Sequence, residues 1–191
     1  MFRELVLKNR SYRRFDQSVR ISPEQLRELV DLARLTPSGK NAQPIKYMLF
    51  SSEEMCAKIF PCTMWAAYLK DWGGPVEVER PTAYIVMLGD KSISNVFGVD
   101  PGIAAQTLLL GAVEKGLGGC MLGSVNRVEL TKLLNISDQF EILYVLALGK
   151  PIEKVVIEPL GADGDIKYWR DENQTHHVPK RALSDIILVE K

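Results

Sequence analysis

The sequence lacks several features on which whole classes of function depend. Its 191 residues carry 24 basic and 24 acidic side chains, so no overall field draws the protein to nucleic acid or to an anionic membrane. The longest uninterrupted apolar run, residues 142–148, is too short to span a bilayer. The first residues contain no apolar core of signal-peptide length. We therefore expect a protein that has neither nucleic acid nor a membrane as its partner.

Cysteine and histidine are also scarce. The three cysteines, Cys56, Cys62 and Cys120, are an odd number without CxxC spacing, which favours neither a disulfide framework nor a zinc site and fits a reducing cytoplasm. The only two histidines, His176 and His177, are adjacent. They point apart in a strand and share no face of a helix. We expect them to be structural or solvated, and we predict no metal site.

The well-known nucleotide loops and catalytic sets are missing as well. Neither GxGxxG nor GxxxxGK[ST] occurs in the sequence, so the dinucleotide fingerprint and the P-loop are absent. No Ser/His/Asp set or carboxylate dyad stands out, and we assign no catalytic side chain.

What the sequence does contain indicates one compact domain over residues 1–191. The apolar content is 46%, enough to bury a core in a chain of this length. Strands are predicted near residues 45, 82, 118 and 140, separated by helices, which indicates a mixed α/β or α+β fold. The helices are predicted over residues 2–7, from a cap at Ser22, from a cap at Ser51 to about residue 60, over residues 61–72, from Asp100 to Gly116, and from Ser124 or Asn126 to Leu134.

The helix that starts at Asp100 and Pro101 is apolar almost all round. A helix without a polar face is buried on every side. The pattern therefore predicts a central helix that is shared with a partner subunit or covered entirely by its own domain.

A polar loop over residues 36–44 joins the second helix to the first long strand. Pro37, Gly39 and Pro44 oppose regular structure there, whereas Ser38, Asn41 and Gln43 offer side-chain hydrogen bonds. The loop is either an ordinary connection or a surface that presents amide and hydroxyl groups to a planar polar ligand.

Four stretches of the chain, taken in order, resemble the FMN-dependent nitroreductase family. They cover nearly the whole sequence, and their order and spacing agree with that family. The stretches are Arg10-Ser11-Tyr12-Arg13-Arg14-Phe15, Pro37-Ser38-Gly39-Lys40-Asn41-Ala42-Gln43-Pro44, Leu117-Gly118-Gly119-Cys120-Met121-Leu122-Gly123 and Pro179-Lys180-Arg181.

The resemblance implies a three-layer fold, in which a central, mainly antiparallel sheet is flanked by helices. It also implies an intimate homodimer with FMN at the subunit interface, a variable lid over residues 61–81, and a tail over residues 161–191 that carries the basic pair.

The resemblance further implies which residues hold FMN. Arg10, Ser11, Lys180 and Arg181 correspond to the phosphate and ribityl side, which suits the charge-assisted bonds that arginine and lysine form with phosphate. Arg13 is similar to the family's basic residue near the flavin pyrimidine. The loop residues that would reach the flavin from the other subunit are Pro37, Ser38, Asn41 and Gln43, and the backbone near flavin N5 would be that of Met121, Leu122 and Gly123.

Two departures from the family pattern bear on the site. Asn9 stands where many members have a further arginine, so a phosphate contact is missing or replaced. Residues 169–173 match no substrate motif.

By resemblance, the protein is an oxidoreductase in which NAD(P)H reduces FMN and leaves before a small acceptor, such as a nitroaromatic or a quinone, takes the electrons. The alternatives are a flavin carrier or sensor without NAD(P)H turnover, and a specialised flavin reaction on the same fold.

Overall fold

The computed structural model describes residues 1–191, which divide into two compact units. The larger unit contains Met1–Trp65 and Gly74–Ile152, and the smaller contains Ala66–Gly73 and Glu153–Lys191. No helix in the structure is both long enough and apolar enough to cross a membrane.

A five-stranded sheet forms the centre of the larger unit. The strand β3 (Ala83–Asp90) lies between β2 (Ile45–Phe50) and β5 (Phe140–Pro151), and both pairings are antiparallel. The other edge of β5 pairs antiparallel with β4 (Gly118–Leu122) and with β1 (Phe15–Asp16). The four predicted strands are all present, and the predicted antiparallel character of the sheet is confirmed.

Five helices surround this sheet. They are α1 (Phe2–Lys8), α2 (Pro23–Arg34), α3 (Glu53–Ile59), α4 (Asp100–Glu114) and α5 (Arg127–Leu134).

The helices form a layer on each side of the sheet, because successive residues of a strand face opposite ways. On one side, Ile85 and Met87 of β3 share an apolar cluster with residues of α2 and α4. On the other side, Tyr84 and Val86 share a second cluster with residues of α3 and α5. This arrangement is the predicted three-layer α+β fold.

The start of α2 follows the predicted capping box. The hydroxyl of Ser22 accepts a hydrogen bond from the backbone N–H of Gln25, and the side chain of Gln25 accepts one from the backbone N–H of Ser22. The next helix, α3, is capped by Ser52, whose hydroxyl accepts from the N–H of Met55. The prediction of Ser51 as that cap was wrong by one residue.

The predicted helix over residues 61–72 is wrong. A short 3-10 turn covers Phe60–Cys62. The N–H of Met64 then donates to the carbonyl of Ser124 at 3.1 Å, and Ala66 adopts a left-handed φ of 43°. A helix needs each N–H for the preceding turn of its own chain, so these long-range and left-handed features end it despite the apolar composition.

The long helix α4 is not fully covered by its own chain. Ala105 and Leu108 are completely buried, whereas Ile103 is 36% exposed. Gln106 is also exposed, and Leu110 is half-buried. The spacing of these three residues places them along one stripe of the helix. A second subunit, as the sequence predicts, would cover this face of α4.

A three-stranded sheet organises the smaller unit. The strand β6 (Val155–Pro159) pairs parallel with β8 (His176–Lys180), which pairs antiparallel with β7 (Trp169–Arg170). The sequence analysis predicted none of these strands. Strands of two to five residues give too few positions for an alternating pattern to appear.

Side-chain contacts hold the smaller unit together. Arg170 pairs with the buried carboxylate of Glu153, and its guanidinium lies 4.1 Å from the centre of the Trp72 ring. The ring of His177 stacks on Trp169 with centroids 4.1 Å apart. These contacts bind the segment Ala66–Gly73 to the C-terminal strands.

Both histidines have structural surroundings in this unit. His176 is 1% exposed, and the two ring nitrogens of His177 lie 3.0 Å from Glu158 and 3.3 Å from Asp171. No group of three or more His, Cys, Asp and Glu side chains is arranged to hold a metal ion.

The C-terminal apolar residues do not dock as a helix or strand. A four-residue helix, α6 (Leu183–Ile186), follows β8, and Leu183, Ile186, Ile187 and Val189 are all exposed. Nothing in the single chain covers these side chains.

Candidate functional site

The arginine-containing stretch runs beside β4. Ser11 forms a parallel bridge with Gly119, and the N–H of Tyr12 donates to the carbonyl of Gly119 at 3.0 Å. Phe15 is completely buried. Two of the sequence stretches that resemble the family, residues 10–15 and 117–123, are therefore neighbours in space.

The three arginines of this stretch have different surroundings. Arg14 forms a two-pronged ion pair with Glu79, with both N–O distances at 2.6 Å. Arg13 is 8% exposed, and its Nη1 donates to the carbonyl of Ser11 at 3.1 Å. The ion pair of Arg14 gives that arginine a role within the fold.

Arg10 is the arginine with bonding capacity left over. Its Nη2 donates to the carbonyl of Val6 at 2.8 Å, but its Nε is buried and has no hydrogen-bond partner in the chain. A buried donor without a partner costs roughly 1–3 kcal/mol.

Asn9 occupies a position where many members of the family have an arginine, and it faces inward. It is 9% exposed, and its Nδ2 donates to Oε1 of Gln106 on α4 at 3.3 Å. An amide there joins the arginine stretch to α4 instead of reaching outward for an anion.

The loop of residues 36–44 has an unusual backbone. Gly39–Asn41 form a short 3-10 turn, and the φ angles of Lys40, Asn41 and Gln43 are 54°, 55° and 53°. Each left-handed non-glycine residue costs about 1–2 kcal/mol. Strain of this kind often accumulates at binding sites, where the surrounding structure maintains it.

The side chains of Ser38 and Gln43 already form hydrogen bonds within the protein. The hydroxyl of Ser38 donates to Asp100 at 2.6 Å and accepts from the N–H of Gln43 at 2.9 Å. The side-chain amide of Gln43 donates to the carbonyl of Asn41 at 3.0 Å. The side chain of Asn41 itself is exposed. The loop is therefore pre-shaped, with Asn41 at its surface.

A cavity of about 280 Å³ lies under this loop and is lined by Ser38, Gln43, Tyr47, Asp100 and Ala104 among others. Burial raises the pKa of the Tyr47 phenol to about 12. The hydroxyl of Tyr47 therefore stays protonated at neutral pH.

The glycine-rich strand has two kinds of glycine. A Cβ on Gly118 would lie 2.6 Å from Pro151, and one on Gly119 would lie 2.6 Å from the carbonyl oxygen of Ala147. These glycines allow close packing inside the chain. Gly123 is different, because a Cβ there would meet nothing closer than 3.8 Å.

The end of β4 is where the strand becomes accessible. Met121 is 42% exposed, although Leu122 beside it is 5% exposed and points into the core. Gly123 is exposed. The predicted backbone site over these three residues thus lies at the point where the strand leaves the core.

The predicted basic pair belongs to the smaller unit. Lys180 ends β8, and its carbonyl accepts from the N–H of Leu160 at 2.8 Å. Lys180 and Arg181 are both exposed. They border an open cavity of about 500 Å³ that also contacts Glu158 and Asp185.

Sequence reasoning missed Glu79, Asp100 and Gln106, which contact predicted site residues. They lie 65, 62 and 97 positions from Arg14, Ser38 and Asn9 respectively. Asp100 was noted only as the start of a helix. No local pattern connects residues that far apart, so only the folded chain identifies these pairs.

Fold and site together define an α+β protein with helices on both faces of an antiparallel sheet, and with an arginine-containing stretch beside a glycine-rich strand. The model of the nitroreductase family matches residues 6–150. The chain belongs to the nitroreductase family.

The names of similar proteins agree with this family assignment. YodC of Bacillus subtilis, provisionally named an NAD(P)H nitroreductase, is 26% identical over 179 residues, which cover 78% of this chain and 89% of YodC. The NADPH-flavin oxidoreductase of Vibrio harveyi is 23% identical over 173 residues, which cover 82% of this chain and 68% of that protein.

Solved structures share the fold. A nitroreductase family protein of Clostridium difficile 630 superposes with a TM-score of 0.67 at 19% identity, and the match covers 98% of this chain and 97% of that one. A protein of Exiguobacterium sibiricum, solved in complex with FMN, gives a TM-score of 0.65 at 23% identity over 80% of this chain and 89% of its own.

Proposed function

We propose that this protein is an FMN-dependent oxidoreductase that passes electrons from NAD(P)H to a small organic acceptor. Membership of the nitroreductase family supports the class of reaction. The names of the relatives support the electron donor, and the FMN complex of a structural neighbour supports the cofactor. The observation in this chain that carries the proposal is the bridge between Ser11 and Gly119, which brings the arginine stretch beside the glycine-rich strand.

The residues present fit FMN. Arg10 and Ser11 would hold the phosphate end, with Lys180 and Arg181 as further phosphate contacts, since guanidinium and ammonium groups form charge-assisted bonds with phosphate oxygens. Arg13 would lie near the pyrimidine edge of the flavin. The backbone of Met121, Leu122 and Gly123 would donate to the polar atoms of the ring, and Gly123 leaves room for that approach.

FMN, when bound, supplies a two-electron carrier that accepts electrons from NAD(P)H and gives them to the acceptor. The chain's own part is to bind and orient. A positive charge at Arg13 would favour a flavin that carries negative charge. A ping-pong order, in which oxidised nicotinamide leaves before the acceptor enters, requires only one shared substrate position. Nitroaromatics and quinones are the acceptors that we propose.

We propose in addition that the chain acts as a homodimer, in which the loop residues Pro37, Ser38, Asn41 and Gln43 serve the partner's flavin. Along α4, Asp100 contacts the loop and Gln106 contacts Asn9 of the arginine stretch. Residues six positions apart on an α-helix project about 120° apart around its axis. The two stretches of one chain therefore adjoin different faces of α4, which supports a site that takes one stretch from each subunit.

An absorption spectrum tests the cofactor first. The purified protein should be yellow, or should become so after incubation with FMN and removal of the excess. A protein that stays colourless after that treatment would contradict the proposal.

The electron donor is tested on the same sample under anaerobic conditions. Bleaching of the flavin band by NADH or NADPH supports the enzyme, and the faster of the two identifies the preferred donor. A flavin band that persists with both would favour a flavin carrier or sensor. A screen of nitroaromatic and quinone acceptors then identifies the second substrate.

Two further expectations remain proposals. The scarcity of cysteine suits a reducing cytoplasm. We also propose that the chain folds as one domain over residues 1–191, with residues 61–81 as the lid. A single cooperative transition in calorimetry, with equal calorimetric and van't Hoff enthalpies, would support that proposal.

A further inference from the structure

The loop of residues 38–43 holds a conformation that its own sequence does not favour. Lys40, Asn41 and Gln43 all have φ values in the left-handed region, where side chains such as those of lysine and glutamine are strained. Gly39, which could adopt such a conformation freely, is not among the residues with positive φ. Contacts outside this segment must therefore maintain its shape.

Asp100 provides those contacts. Its Oδ2 accepts from the hydroxyl of Ser38 at 2.6 Å, and its Oδ1 accepts from the N–H of Gly39 at 3.0 Å. The oxygen of Ser38 in turn accepts from the N–H of Gln43. One carboxylate thus fixes the start of the strained segment directly and its end through a single serine.

The carboxylate is itself held on a rigid element. Asp100 is the first residue of α4 and precedes Pro101, and a negative charge is favourable at a helix N-terminus. Ala104, Ala105 and Leu108 of the same helix lie in the apolar core. The loop is therefore tied to a helix that packs into the apolar core of the larger unit.

We propose that Asp100 is a positioning residue for this loop, which keeps Asn41 and Gln43 in their ligand-ready conformation before FMN binds. The identity of the ligand rests on the proposed function. The physical reason is preorganisation: a loop that is already ordered loses little freedom on binding, whereas a relaxed loop must be ordered by the ligand. Charge-assisted hydrogen bonds are about twice as strong as neutral ones, so an amide at position 100 would hold the loop less firmly.

The first test needs no flavin. Lys40 is exposed in the loop, and trypsin cleaves after lysine when the backbone can adapt to the protease. In the FMN-free dimer, Asp100→Asn should raise the rate of cleavage after Lys40 about tenfold, with cleavage after Lys58 in α3 as the internal reference. Ser38→Ala should raise it as well, because Gln43 then loses its acceptor.

The matched control is Asp16→Asn. The carboxylate of Asp16 also accepts from a serine, through the hydroxyl of Ser18 at 2.6 Å and its N–H at 2.9 Å. Ser18 is not part of the loop. This variant should leave cleavage after Lys40 at the wild-type rate.

The second test measures the dissociation constant of FMN by the quenching of flavin fluorescence. We expect Asp100→Asn to raise it about tenfold, and Asp16→Asn to change it less than twofold. The double variant Ser38→Ala/Asp100→Asn should weaken FMN binding by less than the product of the two single effects, because Ser38 acts in part through the same carboxylate. In the FMN-free state, Asp100→Asn and Asp16→Asn should have thermal midpoints close to that of the wild type.

The proposal would be overturned if Asp100→Asn were cleaved after Lys40 at the same rate as the wild type. It would also be overturned if that variant bound FMN with unchanged affinity. If the wild-type protein binds no FMN, the proposed function fails, while the cleavage experiment still decides whether Asp100 holds the loop. If Asp100→Asn does not fold, Ser38→Ala, which keeps the carboxylate, decides the matter through the rate of cleavage after Lys40.

Discussion

Arg14 and Glu79 form a two-pronged ion pair, in which Nε and Nη2 of the arginine each lie 2.6 Å from one carboxylate oxygen. The side chains are only 22% and 18% exposed. This pair joins the arginine stretch to the segment just before β3. Because Arg14 is occupied by this pair, we propose a flavin-binding role for Arg10 and not for Arg14.

Removing the charge of Glu79 should weaken the fold and leave the cofactor site intact. We expect Glu79→Gln to lower the free energy of unfolding by about 1–2 kcal/mol, because a partly buried, two-pronged pair is worth more than an exposed one. Urea denaturation measures the change. The control is Asp31→Asn, whose partner Arg34 is mostly exposed. Equal losses in the two variants, or a tenfold weaker FMN complex in Glu79→Gln, would contradict the prediction.

Arg10→Ala should weaken FMN binding through the phosphate. We expect the dissociation constant of FMN to rise by about 10- to 100-fold, the equivalent of one charge-assisted contact. That of riboflavin, which lacks the phosphate, should change about twofold at most. Fluorescence titration with both flavins measures the two constants, with the exposed Arg27→Ala as control. An equal loss for FMN and riboflavin would place Arg10 elsewhere on the flavin.

Mixed dimers test the shared site. If Arg10 and Asn41 of each site come from different subunits, a dimer of one Arg10→Ala chain and one Asn41→Ala chain has one intact site and one doubly altered site. It should bind about one FMN with wild-type affinity, which neither parent homodimer should do. Two equally weakened sites would show that each is built within one chain, and sedimentation as a monomer would exclude the shared site altogether.

Gly119→Ala should destabilise the protein by packing alone. An added Cβ would lie 2.6 Å from the carbonyl oxygen of Ala147 and from Leu148, and overpacking of this kind costs about 1–3 kcal/mol. Gly73→Ala is the control, because nothing lies within 4 Å of the Cβ position there. The free energy of unfolding is measured for both variants. A loss in Gly119→Ala no larger than that in Gly73→Ala would argue against close packing at Gly119.

The thiol of Cys56 should be inert in the folded protein. Burial raises its pKa to about 11, and the side chain is 7% exposed. Iodoacetamide at pH 8 should leave Cys56 unlabelled in the native state and should label it in denaturant, as mass spectrometry of the peptides can show.

The same shift predicts how stability depends on pH. A raised pKa in the folded state means that the unfolded thiol releases its proton first, so stability is complete below about pH 9 and falls as the pH rises toward 11. Urea denaturation at several alkaline pH values should show a shallower fall for Cys56→Ala than for the wild type. Parallel curves for the two proteins would rule out Cys56 as a source of the effect.

Local signals were sufficient for most of the larger unit. Ser22 and Gln25 mark the start of a helix within four residues. The apolar run that becomes β3 indicates a buried strand. Such features depend on interactions within one turn or one strand. The helix predicted over residues 61–72 failed for the opposite reason, since Met64 bonds to Ser124 sixty positions away.

The sequence by itself determined the fold class and the family, because hydrophobic period, capping and motif order can be read from neighbouring residues. It also predicted the stretches that we propose bind the flavin. Tertiary structure alone decided how those stretches are held. It paired Arg14 with Glu79, left a donor of Arg10 without a partner, and tied Ser38 to Asp100. Each pair joins residues far apart in the chain, and only packing of the sheet and helices brings their side chains within hydrogen-bond distance.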